Sequence, residues 1–146
     1  MRQYPERPVA GVGAVVFDAA GRVLLVKRRH APLKGEWSLP GGAVELGETL
    51  ATAVAREVFE ETSLVVDVGP VVEVLDRVHH HPDGRVEYHY IVVDYLCEVN
   101  DRAAGSPAAG SDADDVRWVA MDDLSALGVQ PAAIAVIRKA IGQLGT

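Results

Sequence analysis

The chain has 146 residues, 49% of them hydrophobic and 24% charged, with a formal net charge of −7. That length and mixture suit one globular domain with its own core, here taken as residues 1–146. They argue against a membrane-spanning helix, since no apolar run approaches ~20 residues, and against broad binding to nucleic-acid polymers, which needs a basic surface.

In chain order, Met1 to Pro8 lacks the apolar core of a secretory signal, so a cytoplasmic location is the expectation. Pro8 to Phe17 is rich in Val and Gly and reads as a buried strand. Asp18-Ala19-Ala20-Gly21 is a turn, and Gly21 to Lys27 is a second strand, so the two are expected to form a hairpin. His30 to Glu36 is a loop. Trp37 to Leu39 is extended and is broken by Pro40-Gly41-Gly42. A helix opens at Glu48 or Thr49, with Thr49 a fitting N-cap, and runs to about Thr62. Leu64 to Val68 and Val71 to Val78 read as two β segments. Pro82-Asp83-Gly84 marks a hairpin turn, and Glu87 to Val99 is a long strand. Its Cys97, the single cysteine, rules out an intrachain disulfide and fits a reducing compartment. A free cysteine there behaves as a small buried hydrophobe rather than as a nucleophile. Asn100 to Ala113 is a mobile loop and Val116 to Val119 a last strand. Asp122-Asp123-Leu124 begins a short helical segment, and Pro131 to Leu144 is a closing helix with Pro at its first position. An α/β or α+β chain follows, with a mixed sheet and helices on both faces.

The chemistry concentrates at the end of the first helix. Glu57, Glu60 and Glu61 are three and four residues apart, so they share one face. Like charges at that spacing repel by roughly 0.2–0.5 kcal/mol per pair. The helix dipole also disfavours anions near a C-terminus. Stability alone would not place three carboxylates there. A divalent cation reverses the sign of both penalties.

The pattern is wider than the helix. Gly42, Glu48 and then Arg56-Glu57-Val58-Phe59-Glu60-Glu61-Thr62-Ser63-Leu64 follow the spacing G-x5-E-x7-R-E-U-x-E-E-x-G-U, U being a bulky apolar residue. That is the signature of the Nudix hydrolases, which the chain resembles at every fixed position except the last glycine, here Ser63. Trp37-Ser38-Leu39-Pro40-Gly41 resembles the family's lead-in. The resemblance implies an α/β/α sandwich with a mixed sheet. It implies hydrolysis of a nucleoside diphosphate linked to another group X, with Mg²⁺ or Mn²⁺ as cofactor. Glu60 and Glu61 would be the principal metal ligands, Glu57 a further ligand or the base that activates water, and the Gly41 carbonyl another ligand. Arg56 would orient the carboxylates, with Glu48 in a similar supporting role. Ser63 stands where the family's glycine suits a left-handed helix end, which concerns local geometry more than catalysis.

Active members often add an acid from a distant loop. Asp112 and Asp115 could supply it, with Asp112 favoured and a solvated loop as the bland reading. Arg28 and Arg29 could bind phosphate, although basic residues at a strand end are commonly just exposed. His79-His80-His81 is better read as a solvated hairpin arm than as a metal site, because neighbouring strand residues point to opposite faces. His89 is a better sheet histidine than a substrate contact, and Trp118 a better core residue than a stacking platform. The stretch Tyr88 to Tyr95, with Gly110 to Ala113 and Arg117-Trp118-Val119, resembles the ADP-ribose pyrophosphatase-like branch. The expected partner is therefore a small nucleotide. A nucleoside-triphosphate-cleaving enzyme is the nearest alternative. A catalytically inactive nucleotide-sensing Nudix domain belongs to a different class, and the complete acidic box argues against it. Oligomeric state is not legible, and a homodimer is compatible with the sequence.

Overall fold

Strand β1 (Val9–Val16) and strand β2 (Val23–Arg28) are continuous apolar runs because each buries both of its faces. Val12, Ala14 and Val16 pack with Leu24 on one side, and Val15 packs with Val23 and Leu25 on the other. The computed structural model describes residues 3–30, 33–101, 106–110 and 113–144. Further strands are β3 (Trp37–Ser38), β4 (Gly41–Ala43), β5 (Val66–His80), β6 (Val86–Val99) and β7 (Ala113–Val119). Helices α1 (Leu50–Thr62) and α2 (Pro131–Leu144) complete the regular elements, with a 3₁₀ turn at Met121–Asp123.

The strands divide between two sheets, a four-stranded one in the order β4-β1-β6-β5 and a three-stranded one in the order β3-β2-β7. The first is mixed, since β1 runs parallel to β6 and antiparallel to β4. Val54 and Val58 of α1 cover the cluster around Val12 and Leu24. On α2, Ala133, Val136, Ile137 and Ala140 recur at i, i+3, i+4 and i+7 and cover the cluster around Val15 and Leu25. The helices thus lie on opposite faces, which is the layered α/β/α arrangement expected. No helix among the described residues is long and apolar enough to cross a membrane.

Four local expectations are corrected. First, β1 and β2 do not form a hairpin. Both edges of β1 are taken by β4 and β6, so after a tight turn the chain crosses to the other sheet and keeps only a bridge between Phe17 and Val23. The Asp18 carboxylate shapes that turn by accepting from the backbone N–H of Ala20 and Arg22 at 3.0 and 2.8 Å. Second, the two β segments after α1 are one strand, β5, which bulges between Val68 and Glu73. Gly69 and Pro70 sit at the bulge, where a missing N–H is tolerated. A Cβ at position 69 would lie 2.6 Å from the Leu96 carbonyl, so the glycine allows close approach. Third, β7 begins at Ala113 rather than Val116. Fourth, part of the expected mobile loop is docked, because residues 106–110 bond to the end of α1.

Candidate active site

Helix α1 opens on Thr49, whose hydroxyl accepts from the Thr52 N–H at 3.1 Å. It ends at Ser63, which takes the left-handed conformation with φ 64° and donates its N–H to the Phe59 carbonyl. The docked segment satisfies the terminal carbonyls. Ala108 N–H donates to Thr62 O at 2.8 Å and Gly110 N–H to Glu61 O at 3.0 Å. The Ser63 hydroxyl donates to Ala108 O at 3.1 Å. A side chain at position 110 would collide with the Glu60 carbonyl.

Arg56 gathers the acidic groups. It donates Nε and Nη2 to the two oxygens of Glu48 at 2.7 and 2.9 Å, a bidentate pair. Nη2 also reaches the Ala43 carbonyl at 3.0 Å, which ties α1 to β4. Nη1 donates to Glu57 Oε1 at 2.9 Å and to Glu60 Oε2 at 3.2 Å. The Arg56 guanidinium, helped by the Glu45 backbone N–H, holds the Glu48 carboxyl down at about 2. In turn Glu48 raises the Arg56 pKa further above its ordinary value.

The other wall is glycine. A Cβ at position 42 would lie 2.5–2.7 Å from the Glu57 carboxylate, so only glycine lets that group rest on β4. Glu61, just 6% exposed, accepts the Gly41 N–H at 2.7 Å through Oε1. A side chain at position 41 would collide with the Val12 carbonyl of β1. The spacing at the helix end therefore brings Glu57, Glu60, Glu61, Arg56, Glu48 and Gly41 together. The potential donors for a cation, three carboxylates and the Gly41 carbonyl, are all hard oxygens and fit a divalent cation of the alkaline-earth type. Among the described residues no three acidic or histidine side chains close on one point.

Glu57, Glu61 and Gly41 border a cleft of about 790 Å³. Its floor is the face of the four-stranded sheet that carries Gly11, Gly13, Tyr90, Val92 and Asp94, with Arg77 and His79 from β5. Arg28, Trp37 and Pro40 line it from the side of the other sheet. Asp94 was not singled out from sequence. It is 4% exposed, and burial pushes its carboxyl up to about 6, against the pull of Arg77. The only sequence signal for it is a lone acid inside an apolar strand run.

The remaining candidates separate. Arg28 and Arg29 both line the cleft, but Arg29 is engaged by Asp114 Oδ1 at 2.9 Å and by the Ala113 carbonyl. Asp112 lies outside the described residues. Asp115 accepts from the Val116 N–H and pairs with Arg117 at 3.5 Å. The three histidines diverge along the hairpin arm: His79 lines the cleft, His80 is exposed, and His81 pairs with Asp83 at the turn. Trp118 packs on the core, as expected. Cys97 is buried, with its thiol pushed up to about 11, which disqualifies it as a nucleophile.

The NUDIX domain family model matches residues 7–140. An ADP-ribose pyrophosphatase of Methanocaldococcus jannaschii is 36% identical over 126 residues, which are 86% of this chain and 69% of that protein. The crystal structure of a MutT NUDIX hydrolase from Burkholderia pseudomallei superposes with a TM-score of 0.76 at 30% identity, covering 92% of this chain and 98% of that one. The NUDIX domain of Shewanella oneidensis NrtR, solved with ADP ribose, shares the fold at 22% identity, with a TM-score of 0.73 and coverage of 95% and 90%.

Proposed function

The chain belongs to the Nudix family of pyrophosphohydrolases, and from that premise we propose that it cleaves the pyrophosphate of a nucleoside diphosphate linked to another group, ADP-ribose being the first candidate. One observation carries this reading. Two of the box carboxylates, Glu57 and Glu61, rest on the glycines at the edge of a cleft with room for a nucleotide, and Arg56 ties Glu60 to Glu57.

Glu60 and Glu61 would hold Mg²⁺ or Mn²⁺ with the Gly41 carbonyl. Bound there, the cation would offset the anionic charge that builds on the phosphoryl oxygens. Glu57 is a further ligand or the base that takes the proton of the attacking water. Arg56 fixes the directions of Glu57 and Glu60 through Nη1, and Glu48 holds the Arg56 fork in place through Nε and Nη2. Asp112 is the additional loop acid of this reading. Arg28 and Arg29, which line the cleft, are the cations for a phosphate. Tyr88 and Tyr90 offer rings to a base or sugar.

The M. jannaschii relative favours ADP-ribose over a nucleoside triphosphate. The test is a panel of ADP-ribose, other nucleotide sugars and nucleoside triphosphates, with Mg²⁺ or EDTA, scored by the released nucleotide. ADP-ribose should yield AMP and ribose 5-phosphate only with metal. Triphosphates cleaved far faster than ADP-ribose would overturn the substrate, and turnover of any of these compounds in EDTA would overturn the metal mechanism.

A further inference from the structure

Asp94 is a carboxylate in the wrong company for a core. Among the described residues its side chain accepts no hydrogen bond and makes no ion pair, although only 4% of its surface is exposed. Such a group is unfavourable unless something supplies donors. Its neighbours do not. On β1 it registers with Gly13, and a side chain there would collide with Asp94 Oδ1. On β5 it registers with Glu73, a second acid, which is already bound by Lys139 of α2 at 3.0 Å. Arg77, also on β5, attracts Asp94 without reaching it. From α2 the cleft receives Ala133, which has no donor to offer through its side chain. The carboxylate therefore lies on a glycine floor and faces the cleft.

Its position relative to the acidic cluster follows from the register. Asp94 pairs with Gly13 and Gly13 with Gly41, whose N–H binds Glu61. Two strand spacings, roughly 10 Å, separate Asp94 from Gly41. That is about the reach of one sugar from a phosphate lying beside the acidic cluster. A carboxylate presents two acceptor oxygens side by side, and a ribose presents two adjacent hydroxyl donors.

We propose that Asp94 determines specificity by accepting hydrogen bonds from the vicinal hydroxyls of one of the two riboses that flank the scissile pyrophosphate. The proposal rests on the hydrolase reading above. Gly13 is its positioning partner, because it leaves the space that the carboxylate occupies.

The experiment compares ADP-ribose with two analogues, each lacking the vicinal hydroxyls of one of its two sugars, in wild type, Asp94→Asn and Gly13→Ala. Wild type should discriminate against one analogue by about tenfold or more, mainly in KM, the usual size of a charged hydrogen bond. Both variants should bring that ratio down to about threefold or less. Melting temperatures separate this from misfolding, since a merely structural loss would lower turnover of all three compounds alike and leave the ratio unchanged. An unchanged ratio in either variant, or equal wild-type turnover of ADP-ribose and both analogues, overturns the proposal. If ADP-ribose is not a substrate, the same ratio is read with ATP and 2′,3′-dideoxy-ATP. If neither is cleaved, the ratio is read with the nucleotide sugar of the panel that is turned over and its analogue lacking the vicinal hydroxyls; a protein that hydrolyses no member of that panel sinks the hydrolase reading, and this proposal with it.

Discussion

Ser63 combines two opposed effects in one side chain. At φ 64° a residue with a Cβ is strained by about 1–2 kcal/mol relative to glycine. Its hydroxyl, however, donates to Ala108 O at 3.1 Å and fastens the docked segment, a bond worth about 0.5–1.5 kcal/mol. Ser63→Gly should therefore change stability by no more than ~1 kcal/mol, because the relief of strain and the lost bond offset each other. Ser63→Ala keeps the strain and loses the bond, so urea unfolding should show it less stable by about 0.5–1.5 kcal/mol. An alanine variant as stable as wild type would show that the hydroxyl bond contributes nothing. The left-handed helix end was legible in the sequence, because the family pattern places a glycine at that position. Asp94 was not legible. Its burial depends on Gly13, about eighty residues earlier, and no local pattern says that a glycine and an acid will share a register.

At the scale of the element, α1 was read well and the strand pairing poorly, for a physical reason. Helix caps and the i, i+3, i+4 face are local, so Thr49, Glu57, Glu60 and Glu61 declare themselves within a few residues. Pairing is non-local: β1 and β2 look like a hairpin in sequence, yet β1 pairs with a strand about eighty residues later. The same contrast applies to the link between α1 and β4, in which Arg56 binds Glu48 and the Ala43 carbonyl. Glu48 carries a prediction of its own. Its folded pKa of about 2 lies below its ordinary 4.5. The pair is therefore fully stabilising above about pH 4.5, and its contribution is lost as the pH falls toward 2. Glu48→Gln should melt below wild type at pH 6, and the gap should narrow on acidification through that window. Melting curves that stay parallel from pH 6 to the acid end would show that the pair does not contribute to stability.

For the whole molecule, site and fold are coupled through charge. The net charge is −7, and the acids at the end of α1 add local repulsion that Arg56 answers only in part. A cation that binds the folded chain and not the unfolded one stabilises it by linkage, by roughly 2.7 kcal/mol at a hundred times its Kd. For a chain of this size that is a rise in Tm of several degrees. Mg²⁺ or Mn²⁺ should therefore raise Tm, EDTA should reverse the rise, and the rise should scale with the logarithm of free metal. Glu61→Gln tests where the linkage originates. The amide oxygen can still accept the Gly41 N–H, so the fold is kept, but the charge that would hold the cation is gone. In EDTA the variant should be as stable as wild type or slightly more so, because one like-charge contact is relieved. With metal its Tm should rise much less than that of wild type, and turnover should fall by at least ~10²-fold, as when one preorganised electrostatic group is lost. The two readouts constrain each other. A variant that keeps the metal-induced rise but loses turnover would make Glu61 a base rather than a ligand. A variant that keeps both would remove Glu61 from the site.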